Sequence, residues 1–191
     1  MLQQTVNRAK QHNYIPLSNS MSHTNYEFKA RVSDPEKYEN MLLTLHPVFI
    51  GIDHQVDTYF NAATGRLKLR EGNIENALIH YERDNIAGSK KSAVILYKHQ
   101  PDTRLKQILV KQLGVKAVVD KQRRIYFIGN VKFHFDTVVN LGTFIEVEAI
   151  DTQGEFTEEE LKQQCNKFVE FFGLSQEDMV DRSYGELIIE N

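Results

Sequence analysis

The side chains with the most chemical potential in this 191-residue chain are charged groups spaced two apart. Glu27, Lys29 and Arg31 alternate with Phe28, Ala30 and Val32, while Arg66, Lys68 and Arg70 alternate with Leu67 and Leu69. Lys121 with Arg123, and Glu146 with Glu148, repeat the spacing, and Asn25 and Lys98 lie in similar stretches. On an extended strand such a set shares one face. Mixed Lys, Arg and Glu suit a polyphosphate carried with a divalent cation, because guanidinium and ammonium groups donate to phosphate oxygens while carboxylates hold a hard metal. An ordinary solvated sheet also shows a polar face, and periodicity alone leaves both readings open.

The elements that must position these charges favour the first reading. Strands are expected over Asn25 to Val32, Val48 to Phe60, Arg66 to Arg70, Leu78 to Arg83, Ala93 to His99, Val115 to Ile128, Val131 to Asp136 and Phe144 to Ile150. A turn at Ala63 to Gly65 and a polar turn from Asp84 to Lys91 separate some of them. Three amphipathic helices interrupt the strands. The first is capped by Ser33 with Glu36 and runs to about His46; the second carries Leu105, Ile108, Leu109 and Leu113; the third opens on a Thr157/Glu160 capping box and ends at Gly173. The order β α ββββ α βββ α, with short turns, predicts an antiparallel α+β fold, and closure into a barrel would remove exposed edges. Three helices need an apolar surface to cover. If they pack outside a closed sheet, the charged faces point inward, and an interior so charged needs internal compensation or a ligand. Residues 1–22 are polar and without sustained period, which predicts a tail ahead of one domain over 23–191.

Several segments then resemble a known family. Tyr26-Glu27-Phe28-Lys29-Ala30-Arg31-Val32 is similar to the opening Glu-x-Glu-x-Lys strand of the CYTH superfamily of triphosphate tunnel enzymes. Lys121-Gln122-Arg123-Arg124-Ile125-Tyr126-Phe127, the stretch from Asp136 to Glu148, and Arg182 to Ile188 resemble its class IV adenylyl cyclase branch. The likeness runs from about Asn25 to the C-terminus. It implies an eight-stranded antiparallel closed barrel with Mg2+ or Mn2+ at Glu27 and Glu146, and Lys29, Arg70, Lys98, Lys121 and Arg123 around the phosphates. It also implies Asp136 at the tunnel wall, and Arg31, Arg66 and Lys68 as further, weaker matches. Among these, Lys29, Arg70, Lys121, Arg123 and Asp136 are the expected catalytic groups. Asn25 departs from the pattern, since the family has its first Glu there; an amide offers a metal an oxygen without charge, and Glu148 would compensate.

The activity implied is conversion of ATP to cyclic AMP and pyrophosphate. Hydrolysis of tripolyphosphate, thiamine triphosphate or a nucleotide is the first alternative, and a triphosphate-binding protein without catalysis the second. Other features point away from other classes. The net charge of −3 argues against nucleic acid as partner. No apolar run approaches a membrane span, and the start lacks a signal sequence, so a cytoplasmic location is expected. The lone Cys165 reads as core in a reducing compartment. His54, His80, His99 and His134 lack zinc spacing and read as strand residues; Gly88 to Ser92 reads as a solvated turn, not a phosphate loop. Glu158, Glu159 and Glu160 favour a helix dipole. A homodimer is compatible with the resemblance, though no patch in the sequence marks one.

Overall fold

The computed structural model describes residues 22–191, so the expected tail lies, apart from Ser22, outside the described residues. Eight strands follow the alternation: β1 (Ser22–Arg31), β2 (Val48–Phe60), β3 (Arg66–Gly72), β4 (Ala77–Glu82), β5 (Lys90–Lys98), β6 (Val115–Ile128), β7 (Val131–Val138) and β8 (Gly142–Asp151). They close into a barrel in the order β1-β5-β4-β3-β2-β6-β7-β8, every pair antiparallel, with β8 returning to β1. Helices α1 (Pro35–Leu43), α2 (Thr103–Leu113), α3 (Glu158–Phe172) and α4 (Tyr184–Glu190) complete the chain, and no described helix is long and apolar enough to cross a membrane.

The barrel is apolar outside where helices cover it. Phe28 and Ala30 of β1, Phe133 and Phe135 of β7, and Ile145 and Val147 of β8 form one buried cluster with Leu161, Cys165, Phe168 and Phe172 of α3. Phe168 meets Phe133 edge to face at 4.6 Å. A fully buried side chain of this size contributes about 1.5–3 kcal/mol, so this seam anchors α3. Leu42 of α1 joins the same cluster. Since the apolar alternates are used outside, the charged alternates must face in.

Some details differ from the sequence expectations. Asp34, not Ser33, caps α1 and accepts from the Lys37 amide, because Pro35 takes the first helical position and leaves Ser33 one residue too early. The helix stops at Leu43, and His46 takes a left-handed backbone (φ 53°). The turn after β4 is shorter than Asp84 to Lys91: β5 starts at Lys90, and Lys90 and Ser92 are buried. Gly88 to Ser92 is thus only partly a solvated turn. Helix α2 buries no residue, so of the three expected helices only α1 and α3 contribute to the core. Helix α4 is additional to the three expected helices; its seven residues are too few for a periodic signal, although Ser183 and Glu186 form a capping box. Tyr184 of α4 enters one end of the barrel, and Gly185 is required beside it, since an added Cβ would stand 3.0 Å from the Tyr59 ring.

Replacing Phe168 with Ala should cost about 3–5 kcal/mol in urea unfolding. A loss below about 1 kcal/mol would show that α3 is not held by this seam.

Candidate active site

Strand alternation carries the charges into a cavity of about 1230 Å³ inside the barrel. Its lining holds eight cationic side chains, Lys29, Lys68, Arg70, Arg83, Lys98, Lys121, Arg123 and Lys132, against four carboxylates, Glu27, Glu75, Glu146 and Glu148. Two buried acids, Asp57 and Asp136, lie just behind and organise the cations.

Asp57 of β2 is the hub of one half. Arg70 reaches it through Nε at 2.9 Å and Nη2 at 3.1 Å, Lys68 at 3.0 Å and Lys121 at 2.8 Å. Burial alone would raise the Asp57 carboxyl, but Arg70, Lys121 and Lys68 hold it well below its usual range. Burial pushes the Lys121 ammonium down to about 7; Asp57 opposes this, and Arg123, Arg70 and Lys68 add repulsion. The second half is centred on Arg123, which donates to Asp136 at 2.7 Å and to Glu146 at 2.6 Å. Glu146 also accepts from Lys29 at 2.8 Å, and the ion pairs hold its carboxyl low against burial. Tyr184 closes this end, donating its hydroxyl to Asp136 at 2.8 Å while Lys29 lies 4.2 Å from its ring centroid. Elsewhere Arg83 pairs with Glu27, and Lys132 and Arg70 share Glu75.

The structure therefore brings Asn25, Glu27, Lys29, Lys68, Arg70, Lys121, Arg123, Glu146 and Glu148 into one cavity, with Lys98 exposed at its open mouth. Asp136 sits behind Arg123. Arg31 and Arg66 do not line the cavity. Arg31 stacks on Phe144 at 4.6 Å and donates to the Leu141 carbonyl, while Arg66 bonds Glu186 of α4 at 2.8 Å. Sequence reading missed Asp57, Glu75, Arg83, Lys132 and Tyr184. Asp53, Gln55 and Asp57 carried a visible period of two, whereas Glu75 sits in a loop and had no periodic signal.

A donor set for a divalent cation lies on the same face. His134 of β7, fully buried, places Nδ1 3.4 Å from Glu146 and 3.7 Å from Glu148, and one donor atom from each of the three lies within 4.8 Å of the others. Burial, with Arg123 and Lys132 nearby, pushes this imidazole down to about 4, so it is neutral at physiological pH. Two carboxylates and a neutral imidazole, with Glu27 opposite Glu148 in register, fit a hard or borderline divalent ion. His134 is a strand residue as expected, yet it faces the acids.

The family profile of the CYTH domain matches residues 23–184. The chain belongs to the CYTH domain family. This CYTH protein is 27% identical over 172 residues to a candidate adenylate cyclase of Methanocaldococcus jannaschii, spanning 84% of this chain and 96% of that one. Its barrel is similar to that of a conserved hypothetical protein of Pyrococcus furiosus (TM-score 0.74, 22% identity, 86% of this chain and 99% of that one). It is also similar to a Hippeastrum protein described as a candidate adenylyl cyclase with a dominant triphosphatase activity (TM-score 0.59, 13% identity, 88% and 95% covered). At such identities these two likenesses concern the fold.

Changing Asp57 to Asn should destabilise this CYTH domain by about 3–5 kcal/mol in urea unfolding, since the buried Arg70 and Lys121 and the half-buried Lys68 lose their shared counter-charge. Tripolyphosphate should raise the melting temperature of the variant more than that of the parent. A loss below about 1 kcal/mol would show that Asp57 does not organise the cations.

Proposed function

We propose that this protein is a divalent-metal-dependent enzyme that binds ATP in the barrel and converts it to cyclic AMP and pyrophosphate. The observation that carries the reading is the cavity lining, in which eight cationic side chains stand beside an apolar stretch of Ile79, Val94, Leu96 and Ile150. A triphosphate compensates the surplus cations, and the apolar stretch suits a nucleobase, which inorganic tripolyphosphate lacks. The match to the M. jannaschii protein supports the same choice.

Arg70, Lys121, Arg123 and Lys29 would hold the phosphate oxygens, pre-positioned by Asp57, Asp136 and Glu146. Such preorganisation stabilises charge that develops as the 3′ hydroxyl attacks the α-phosphorus and pyrophosphate leaves. Tyr184 and α4 close the floor against water, which matters because water at the same phosphorus would hydrolyse the substrate. Glu146, Glu148 and Glu27 would hold Mg2+ or Mn2+, with His134 beside them; when bound, the ion supplies charge neutralisation and polarises a phosphoryl oxygen. Glu148 would offset the charge that Asn25 lacks. Lys68, Arg83 and Lys132 are further phosphate contacts, whereas Arg31 and Arg66 would act only by bracing the closed end. Triphosphate hydrolysis is the second reading, because a barrel of the same fold in Hippeastrum has a dominant triphosphatase activity.

ATP and, separately, tripolyphosphate, incubated with Mg2+ or Mn2+ and resolved by chromatography, decide between them. Cyclic AMP with pyrophosphate is expected; orthophosphate alone would make the protein a hydrolase, and binding without product would overturn the enzyme reading.

Lys121 adds a pH signature. Its folded pKa near 7 lies below the ordinary lysine value, so above pH 7 it is largely neutral in the free protein. A bound polyphosphate favours the charged form and must raise that pKa, so binding at pH 8 takes up about one proton and affinity falls as pH rises through 7–9. Calorimetry in buffers of different ionisation enthalpy should show this uptake in the parent and not in Lys121→Met.

A further inference from the structure

Rungs of paired residues divide the barrel interior into layers. Nearest the closed end, Lys29 lies opposite Glu146; next come Glu27, Glu148 and Lys90; then Asn25, flanked by Ser92 of β5 and Ile150 of β8; and beyond it His23 opposite Val94. On β4, Tyr81 and Ile79 lie opposite Val94 and Leu96. Along β1 the charge therefore ends at Glu27, while cations continue on the facing wall, where Lys68 lies opposite Ile79 and Lys98 opposite Ala77. At the inward positions of β1 and β5 between Glu27 and Val94 stand the neutral polar Asn25 and Ser92.

Each of these two side chains carries a buried oxygen without a hydrogen-bond partner among the described residues. Asn25 is 3% exposed and Ser92 is 1% exposed, yet Asn25 Oδ1 and Ser92 Oγ accept or donate no hydrogen bond among the described residues. Asn25 makes one long contact, from Nδ2 to Glu27 at 3.5 Å. Both line the cavity. Buried polar atoms are ordinarily satisfied, and adjacent exceptions facing a cavity mark a place where a ligand supplies the partners.

We propose that Asn25 and Ser92 form a ribose subsite that hydrogen-bonds the sugar hydroxyls of a nucleoside triphosphate. The inference rests on the nucleotide reading above and deepens it. Along β1 and β5 the inward residues pass from Glu27 and Lys90 through Asn25 and Ser92 to Val94, the order in which phosphate, ribose and base follow one another in the ligand. The amide oxygen accepts from a hydroxyl, and the serine hydroxyl both donates and accepts, so the pair matches a vicinal diol. A carboxylate at Asn25, next to Glu27 and Glu148, would draw a cation instead; the neutral amide leaves the rung to the sugar. Asn25 thus serves substrate choice more than metal binding.

The test is calorimetric titration, with Mg2+, of a methylene-bridged ATP analogue, its 2′-deoxy counterpart and methylene-bridged tripolyphosphate into the parent, Asn25→Ala and Ser92→Ala. The parent should bind the ribonucleotide about tenfold more tightly than the deoxynucleotide, as expected for one lost hydrogen bond. Each variant should lose about tenfold for the ribonucleotide and less than twofold for the tripolyphosphate analogue, whose retained binding also shows that the variant is folded. Equal losses for both ligands would place Asn25 and Ser92 at the phosphates or metal and overturn the subsite, as would absence of discrimination by the parent. If the parent binds the tripolyphosphate analogue as tightly as the ribonucleotide, the nucleotide reading itself fails, and the subsite with it.

Discussion

The structure depends on a balance of charge inside a closed sheet. Asp57, without solvent exposure, shares its two oxygens among Arg70, Lys68 and Lys121, and Arg123 does the reverse by spanning Asp136 and Glu146. A buried ion costs several kcal/mol unless paired with good geometry, so these hubs allow cations to stand ready in a low-dielectric space. The arrangement leaves the cavity lining with more cations than acids. That surplus suits a polyanion, even though the chain as a whole carries a net charge of −3.

An inward-facing charged layer requires the apolar alternates to find cover elsewhere. On β1, β7 and β8 that cover is α3, whose Leu161, Cys165, Phe168 and Phe172 complete the cluster around Phe28 and Phe133. At the closed end, Tyr184 packs against Phe144 and reaches Asp136, so the residue that shuts the barrel also fixes the carboxylate orienting Arg123. Packing and site are coupled there, which is why a short C-terminal helix matters to a site built mainly of strands.

Much of this was legible in the sequence because a strand turns composition into position. Glu27 and Lys29, or Lys121 and Arg123, declare a shared face through a period of two, and three amphipathic helices imply that this face is inside. Period alone does not say where along the barrel a side chain lies. Arg31 and Arg66 obey the same alternation as Lys29 and Lys68, yet both lie outside the cavity, because each stands near the end of its strand. Glu75 is a loop residue that reaches Arg70 and Lys132 through tertiary folding, and Arg83 lies just past the end of β4; neither has a local signature. Tyr184 reads in sequence as one aromatic beside a capping box, and only closure of the barrel reveals it as a floor.

The central claim is that the interior charges form a bed for a triphosphate. The most direct measurement is a crystal structure of the protein grown with a non-hydrolysable ATP analogue and Mg2+. The account predicts phosphorus density inside the barrel, within hydrogen-bonding reach of Arg70, Lys121, Arg123 and Lys29. Phosphates bound on the outer surface, with the pairs around Asp57 and Glu146 undisturbed and no ligand density in the cavity, would contradict it.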